Sequence, residues 1–437
     1  MPAFAGELPE QAVAHAMRER VGPIGQIAAA TPVSRGGALA RRGQICIAAE
    51  LRAQARQDRL AFRRLRPRFQ PRQIRGAEQQ ARVLARRCRR DARPCRGPRP
   101  GRDDAGRAAA HRLLAEGAGV GAGQARAVLR QRDAVARRAA SLCKADLVTN
   151  MVVEMTSLQG IMGRYYALQS GEPEAVAQAI WEHYLPRSAG DALPATSAGL
   201  VVGLADRLDT LAGLFAAGLA PTGTKDPFAQ RRAALGLALS LGLKGVDFDL
   251  RQGLQMAAEE LPIPATAESQ AACLDFIVGR LRSYLLEREQ GFRYDVVEAV
   301  LAEQQANPAR VFRAVRELSR WVARPDWNTI LPAYARCVRI TRDQPEQFTV
   351  APEAFVDPAE DEFWRALQTA ESAPRRPGSV DDFFAAFLPL IPVINRFFEA
   401  VLVMAEEPTV RANRLGLLQR VAALAKGVAD FSKLEGF

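Results

Sequence analysis

From Ser141 onward, apolar residues recur three and four positions apart in long stretches separated by Gly, Pro and Asp, and no alternating period-two pattern persists. Such spacing lines one face of a helix, and the breaks mark where helices start and stop. It predicts helices over Asp146–Gln169, Pro173–Tyr184, Thr196–Ala217, Pro227–Leu241, Ala267–Glu287 and Arg293–Gln305. The expected class is mainly α. Within Thr196–Ala217, Val201, Leu204, Leu208, Leu211 and Phe215 form one stripe that reads as core. Asp206 falls on the other side beside Gly203, Thr210 and Gly213, a smooth face that another element can approach. A carboxylate in a cleft is expected there, satisfied by a backbone N–H or by an arginine such as Arg207. Near the end, Pro408 suits a helix start, and Leu417, Val421, Leu424 and Val428, spaced four, three and four, predict a packed final helix. Thr341–Pro358 reads as a connector and Ala373–Ser379 as a turn. The spacing of Phe383, Phe384, Phe387, Phe397 and Phe398 assigns them to a core rather than to a base-stacking platform.

The first third breaks this texture. Residues 1–140 contain 30 Arg, no Lys and 11 Asp plus Glu, a net charge of +19, whereas the remainder holds 30 basic and 37 acidic residues, a net charge of −7. Tyr, Trp and Asn are also missing from the first 140 residues. Apolar periodicity is weak there, with short Ala/Arg-rich helices the most that Leu39–Leu65 and Ala108–Ala140 support, so an irregular or poorly ordered segment is expected. Three readings compete: a basic arm that neutralises RNA phosphates, an unfamiliar helical domain, or translation of a GC-rich gene in the wrong frame. The third accounts for more of the composition.

Composition limits the chemistry. Six cysteines, at 46, 88, 95, 143, 273 and 337, are scattered and suggest reduced thiols. Cys88 and Cys95 lack a common zinc spacing, and with only His15, His111 and His183 to add, no metal site is expected. No uninterrupted apolar run of about 18 residues offers a membrane span. The start, Met1 to Pro9, lacks the basic flank and apolar stretch of a secretory signal, so a cytoplasmic location and no membrane partner are expected.

Two helix entrances draw notice. In the stretch from Gly218 to Gly236, Pro221 and Gly223 fit a loop, Asp226 fits an N-cap and Pro227 the first helical position, with Lys225, Arg231 and Arg232 around them. Those cations suit either a solvated face or contact with an RNA phosphate or a carboxylate of another domain. At the second entrance Arg411 and Arg414 oppose the macrodipole in the first turns. Glu407, four residues before Arg411, offers a salt bridge, and an RNA phosphate is the other candidate partner.

Several blocks are dense enough to carry a resemblance. Lys144-Ala-Asp-Leu-Val-Thr-Asn-Met-Val-Val-Glu-Met155, Leu158-Gln-Gly-Ile-Met-Gly-Arg-Tyr-Tyr-Ala167, Glu182-His-Tyr-Leu-Pro186, Leu204-Ala-Asp-Arg-Leu-Asp-Thr-Leu211 and Pro221-Thr-Gly-Thr-Lys-Asp-Pro-Phe228 resemble the β subunit of the bacterial tetrameric glycyl-tRNA synthetase. Leu331-Pro-Ala-Tyr-Ala-Arg-Cys-Val-Arg-Ile340, Val401-Leu-Val-Met-Ala-Glu-Glu407, Val410-Arg-Ala-Asn-Arg-Leu415 and Val428-Ala-Asp-Phe-Ser-Lys-Leu434 continue it to the end. The resemblance implies an HD-like helical domain over 141–324 and a helical anticodon-binding domain over 325–437. Hydrolases of the HD type bind metal through a His, a His-Asp dyad and a later Asp. Here the later Asp corresponds to Asp206 and the dyad to Cys143-Lys144, so a cation replaces a ligand, and Lys144 is expected near Asp206 or Asp146. Candidate tRNA contacts are Lys225, Arg231, Arg232, Arg336, Arg411, Arg414 and Lys433.

The function implied is tRNA recognition in a glycine–tRNA ligase heterotetramer, with tRNA-Gly as partner. A separate α subunit would activate glycine with ATP and Mg, and no cofactor or catalytic residue is expected on this chain. No phosphate-cradling glycine loop is evident. Family β subunits are considerably longer. The alternatives are a metal-dependent HD-type phosphohydrolase and a non-functional fragment with a basic RNA-binding arm.

Overall fold

The computed structural model describes residues 133–287 and 291–437. The expectations for residues 1–132, among them Cys46, Cys88, Cys95, His15 and His111, lie outside the described residues. Within them every regular element is helical, and an isolated bridge between Thr222 and Lys225 is the one β-type pairing. Helical backbone over residues 133–142 is followed by α1 (Asn150–Glu154), α2 (Ile161–Gln169), α3 (Glu174–Glu182), α4 (Ser197–Ala216), α5 (Gln230–Lys244), α6 (Leu250–Glu259), α7 (Ala267–Leu286), α8 (Tyr294–Gln304), α9 (Pro308–Val322), α10 (Trp327–Thr341), α11 (Pro358–Ser372), α12 (Val380–Phe387), α13 (Ile391–Ala400) and α14 (Pro408–Ala423). Contacts divide the chain into two units, one containing 133–240 and 248–277, the other 241–247 and 278–437.

In the first unit α3 packs on α2 and α4, and α4 also packs on α6. The predicted stripe of α4 is its core: Val201, Leu204, Leu208, Leu211 and Phe215 are all buried. Thr196 caps the helix by accepting from Gly199 N. The smooth face works as a close-approach surface, since a Cβ at Gly203 would sit 2.9 Å from the carbonyl oxygen of His183 and one at Gly199 would strike the Glu182 side chain. The single long helix expected over 146–169 is instead broken into two 3₁₀ turns (Ala145–Val148 and Thr156–Leu158) and the helices α1 and α2. Asp146 causes the break. Its carboxylate accepts from Gly160 N at 2.6 Å and Gly163 N at 3.1 Å, folding the segment back on itself, and Gly160 supplies the positive φ of +77°.

In the second unit α10 packs on α14, α8 on α9, and α11 on α13 and α14. Phe383, Phe384, Phe387 and Phe397 are buried as expected, with Tyr334 meeting Phe383, Phe387 and Phe431 edge-on at 5.3–5.9 Å between centroids. Phe398 is only half-buried. The final helix stops at Ala423, earlier than the apolar spacing implied, yet Leu424 and Val428 are still buried because turns carry them back inward. Gln304 donates to the carbonyls of Gly378 and Val428 and ties those turns to α8. By length and composition Val380–Ala400 is long and apolar enough to cross a membrane, although Asp381, Asp382, Arg396 and Glu399 interrupt its apolar run. Its buried phenylalanines face the core just described. Cys143, Cys273 and Cys337 are all buried. Burial pushes Cys273 and Cys337 up to about 12.

Candidate functional site

Two groups of chemistry-bearing residues stand in the first unit. The first centres on Lys144, whose ammonium donates to Asp206 Oδ2 at 3.0 Å and lies 4.3 Å from the centroid of the Tyr184 ring. Both partners are mostly enclosed, with 26% and 17% of their side chains exposed. Cys143, its neighbour, is buried and donates its thiol to the Ala140 carbonyl. The structure thus brings Lys144 and Asp206 together, while Arg207 takes a different role from the one its adjacency suggested. Its guanidinium donates to the carbonyls of Gly203, His183, Tyr184, Leu185 and Pro186 at 2.9–3.2 Å, holding the loop after α3 against α4. Glu182, 1% exposed, joins the same elements by accepting from Thr196 N, Thr196 Oγ1 and Gln178 Nε2.

The Lys144 charge also acts on Asp146, two residues along the chain. Desolvation raises its carboxyl pKa above the usual 3.8, against the lowering effects of the Gly160 and Gly163 N–H groups and of the Lys144 charge. Its Oδ2 takes both N–H groups, and its Oδ1 has no hydrogen-bond partner. Among the described residues no group of three or more His, Cys, Asp or Glu side chains is placed to hold a metal ion. An ammonium held 3.0 Å from Asp206 provides the charge compensation there.

The second group is the loop before α5. The helix begins at Gln230 rather than Pro227, because Asp226 to Ala229 close a turn, with Ala229 N donating to Asp226 O at 3.2 Å and Ala229 at φ +55°. Asp226 still caps, three residues further out than its sequence position suggested: Oδ1 accepts from Gln230 N at 2.8 Å and Oδ2 from Arg231 N at 3.0 Å. Its carboxylate therefore fills the helix N-terminus that an incoming phosphate would need. The base of the loop is closed by buried Gln230, which donates to Leu219 O at 2.7 Å, and by Lys225 N donating to Thr222 O at 3.0 Å. Arg231 turns back to donate to Gly223 O and lies 3.9 Å from Asp226. Lys225 and Arg232 are left exposed, and between them Phe228 is 43% exposed.

The cations of the second unit are used differently. Arg414 is buried, pairs with Glu360 at 2.6 Å and donates to Leu402 O at 2.8 Å, so the structure withdraws it from the candidate RNA contacts. Arg411 donates to Ala405 O at 3.1 Å, while Glu407 spends its carboxylate on Thr409 N and Val410 N as the α14 cap instead of on Arg411. Arg336 is exposed and stacks at 3.9 Å over Phe398. Lys433 is exposed and 3.9 Å from Asp430.

Residues 110–302 match the family model described as glycyl-tRNA synthetase beta subunit. The match begins inside the Arg-rich segment, so the compositional change at 141 is not the edge of the similarity. Over 308 residues, 68% of this chain, the sequence is 41% identical to the glycine–tRNA ligase beta subunit of Moorella thermoacetica, of which it covers 44%. It is 41% identical to the Myxococcus xanthus beta subunit over 316 residues, 69% of this chain and 44% of that protein. A chloroplastic/mitochondrial glycine–tRNA ligase of Arabidopsis thaliana is 38% identical over 305 residues, 69% of this chain and 28% of that protein. The chain spans less than half the length of these relatives. The similarity to glycyl-tRNA synthetase beta subunits extends over about two thirds of the chain, 68% of it in the comparison with the Moorella thermoacetica protein.

Proposed function

We propose that this chain serves as a tRNA-handling component of a glycine–tRNA ligase, working with a separate α subunit that attaches glycine to tRNA-Gly in the cytoplasm. The carrying observation is 41% identity to curated beta subunits across 68% of the chain. In this reading ATP and Mg are used by the α subunit, and the chain itself supplies RNA contacts. On the same reading residues 141–324 are an HD-like domain whose Lys144–Asp206 pair stands where hydrolases of the HD type hold metal, and residues 325–437 are the anticodon-side domain. Lys225, exposed on the loop, and Arg232, exposed in the first turn of α5, are the cations best placed for phosphate, with Arg336 and Lys433 as further candidates.

A phosphohydrolase reading is disfavoured by the tethered ammonium at Asp206, which repels a divalent ion. The test is co-purification with a glycyl α subunit, followed by charging of tRNA-Gly with glycine, ATP and Mg. Glycine incorporation that requires both chains supports the proposal. No complex and no preference for tRNA-Gly over other tRNA would overturn it.

A further inference from the structure

The loop before α5 has more than charge to offer an RNA. Phe228 is 43% exposed in a turn whose backbone is fixed on both sides, by the Asp226 carboxylate on Gln230 N and Arg231 N and by Gln230 on Leu219 O. Arg231, three residues after Phe228, is spent on Gly223 O, which stiffens the loop further. An exposed apolar side chain is ordinary by itself. This one is held on a rigid turn, with exposed Lys225 three residues before it and exposed Arg232 four residues after it in the sequence, within a part of the chain whose net charge is negative. Aromatic faces flanked by cations suit unpaired nucleotides: the ring stacks on a base, the cations meet adjacent phosphates, and duplex RNA with its bases stacked internally offers the ring nothing. The capped helix end argues the same way. With the Gln230 and Arg231 N–H groups and the helix entrance already taken by the Asp226 carboxylate, affinity at this entrance comes from side chains of the turn and of the first turn of α5.

Resting on the tRNA-handling reading, we propose that Phe228 is a base-stacking residue for an unpaired RNA nucleotide, with Lys225 and Arg232 contacting the phosphates beside it.

The experiment uses the full chain with a short single-stranded RNA, a duplex of the same length and a tRNA-Gly transcript. Phe228→Ala and Phe228→Leu should each weaken single-strand binding by about 5- to 100-fold, the range of one lost base stack. Duplex binding should hold within about twofold, while Lys225→Ala and Arg232→Ala should each lower the salt slope by about one. Phe228→Trp should keep affinity, and its added fluorescence relative to wild type should be quenched by the single strand. That local signal separates the turn from RNA held on the Arg-rich segment. RNA that binds without changing the F228W fluorescence, or F228A with unchanged single-strand affinity, overturns this proposal and leaves the tRNA-handling reading intact. Absence of tRNA binding by the wild-type chain sinks both. Loss of α-subunit binding in F228A with RNA affinity unchanged assigns the turn to a protein contact and also overturns it.

Discussion

Two helix entrances look alike in the sequence and end differently in the structure. Asp226-Pro227 is followed by Arg231 and Arg232, and Glu407-Pro408 by Arg411 and Arg414. At the second, the helix starts at the proline and the carboxylate caps it directly. One arginine runs inward to Glu360, which is 1% exposed, and the other to a backbone carbonyl. At the first, a turn intervenes, the carboxylate caps from further out, and Arg232 stays in solvent. Whether a helix-entrance arginine is available to RNA is therefore decided by what lies across from it. Glu360 sits 54 residues from Arg414 in the chain, so the arginine's own neighbours in sequence could not reveal the pairing.

The largest effect that could break this comparison is on stability. Arg414→Ala leaves Glu360 buried with only the Val356 and Asp357 N–H groups to satisfy it. Losing one partner of an enclosed pair costs about 3–5 kcal/mol, whereas Arg232→Ala should stay within about 0.5 kcal/mol of wild type as a surface change. Urea unfolding of the two variants measures the difference. Equal losses would mean that the two arginines are not used differently.

Lys144 sharpens the same point with a cation of intermediate enclosure. Lys144→Met removes the hydrogen bond to Asp206 and the contact with Tyr184 while keeping much of the apolar stem. A charged hydrogen bond in a mostly enclosed pair predicts a loss of about 1–3 kcal/mol, between the Arg414 and Arg232 values. In the double variant Lys144→Met/Asp206→Asn the loss should be smaller than the sum of the single losses, because both single changes remove the same contact. Strict additivity by urea unfolding would show that the 3.0 Å contact does not couple the two residues energetically.

What the sequence revealed follows the range of the interaction. The α4 stripe, the Thr196 start and the five phenylalanines are written in local spacing, and four of those rings are buried as read. The Lys144–Asp206 pair was reachable through resemblance, though the partners lie 62 residues apart. The roles of Arg207 and Glu182 were missed, since Arg207 reaches backbone carbonyls 21 to 24 residues earlier and Glu182 reaches Thr196, 14 residues later, contacts that no local side-chain pattern announces. The break in 146–169 was hidden because an unbroken helical pattern says nothing of a carboxylate reaching the N–H groups of Gly160 and Gly163. Asn307-Pro308 at the start of α9 and Asp357-Pro358 with Glu360 at the start of α11 are local caps that the sequence did display. The apolar spacing alone does not assign the helices they open, whereas these start signals do.

The smallest effect compares two carboxylates that make the same kind of bond. Asp146 and Glu407 each accept two backbone N–H groups, but Asp146 is buried and Glu407 exposed. Desolvation raises the pKa of Asp146, while the Val410 and Thr409 N–H groups lower that of Glu407. The folded chain thus holds the Asp146 proton more tightly than the unfolded chain does, so this group's contribution to stability falls as pH rises from 3.8 through its folded value. Glu407 runs the other way, contributing fully above 4.5 and losing that contribution as pH falls through its lowered folded value. Asp146→Asn, which can still accept from Gly160 and Gly163 through its amide oxygen, should therefore gain stability relative to wild type as pH rises through that window. Glu407→Gln should lose stability relative to wild type on the same rise. Urea midpoints taken across the acid range would follow both differences. If the two shift in the same direction, burial is not what separates these carboxylates.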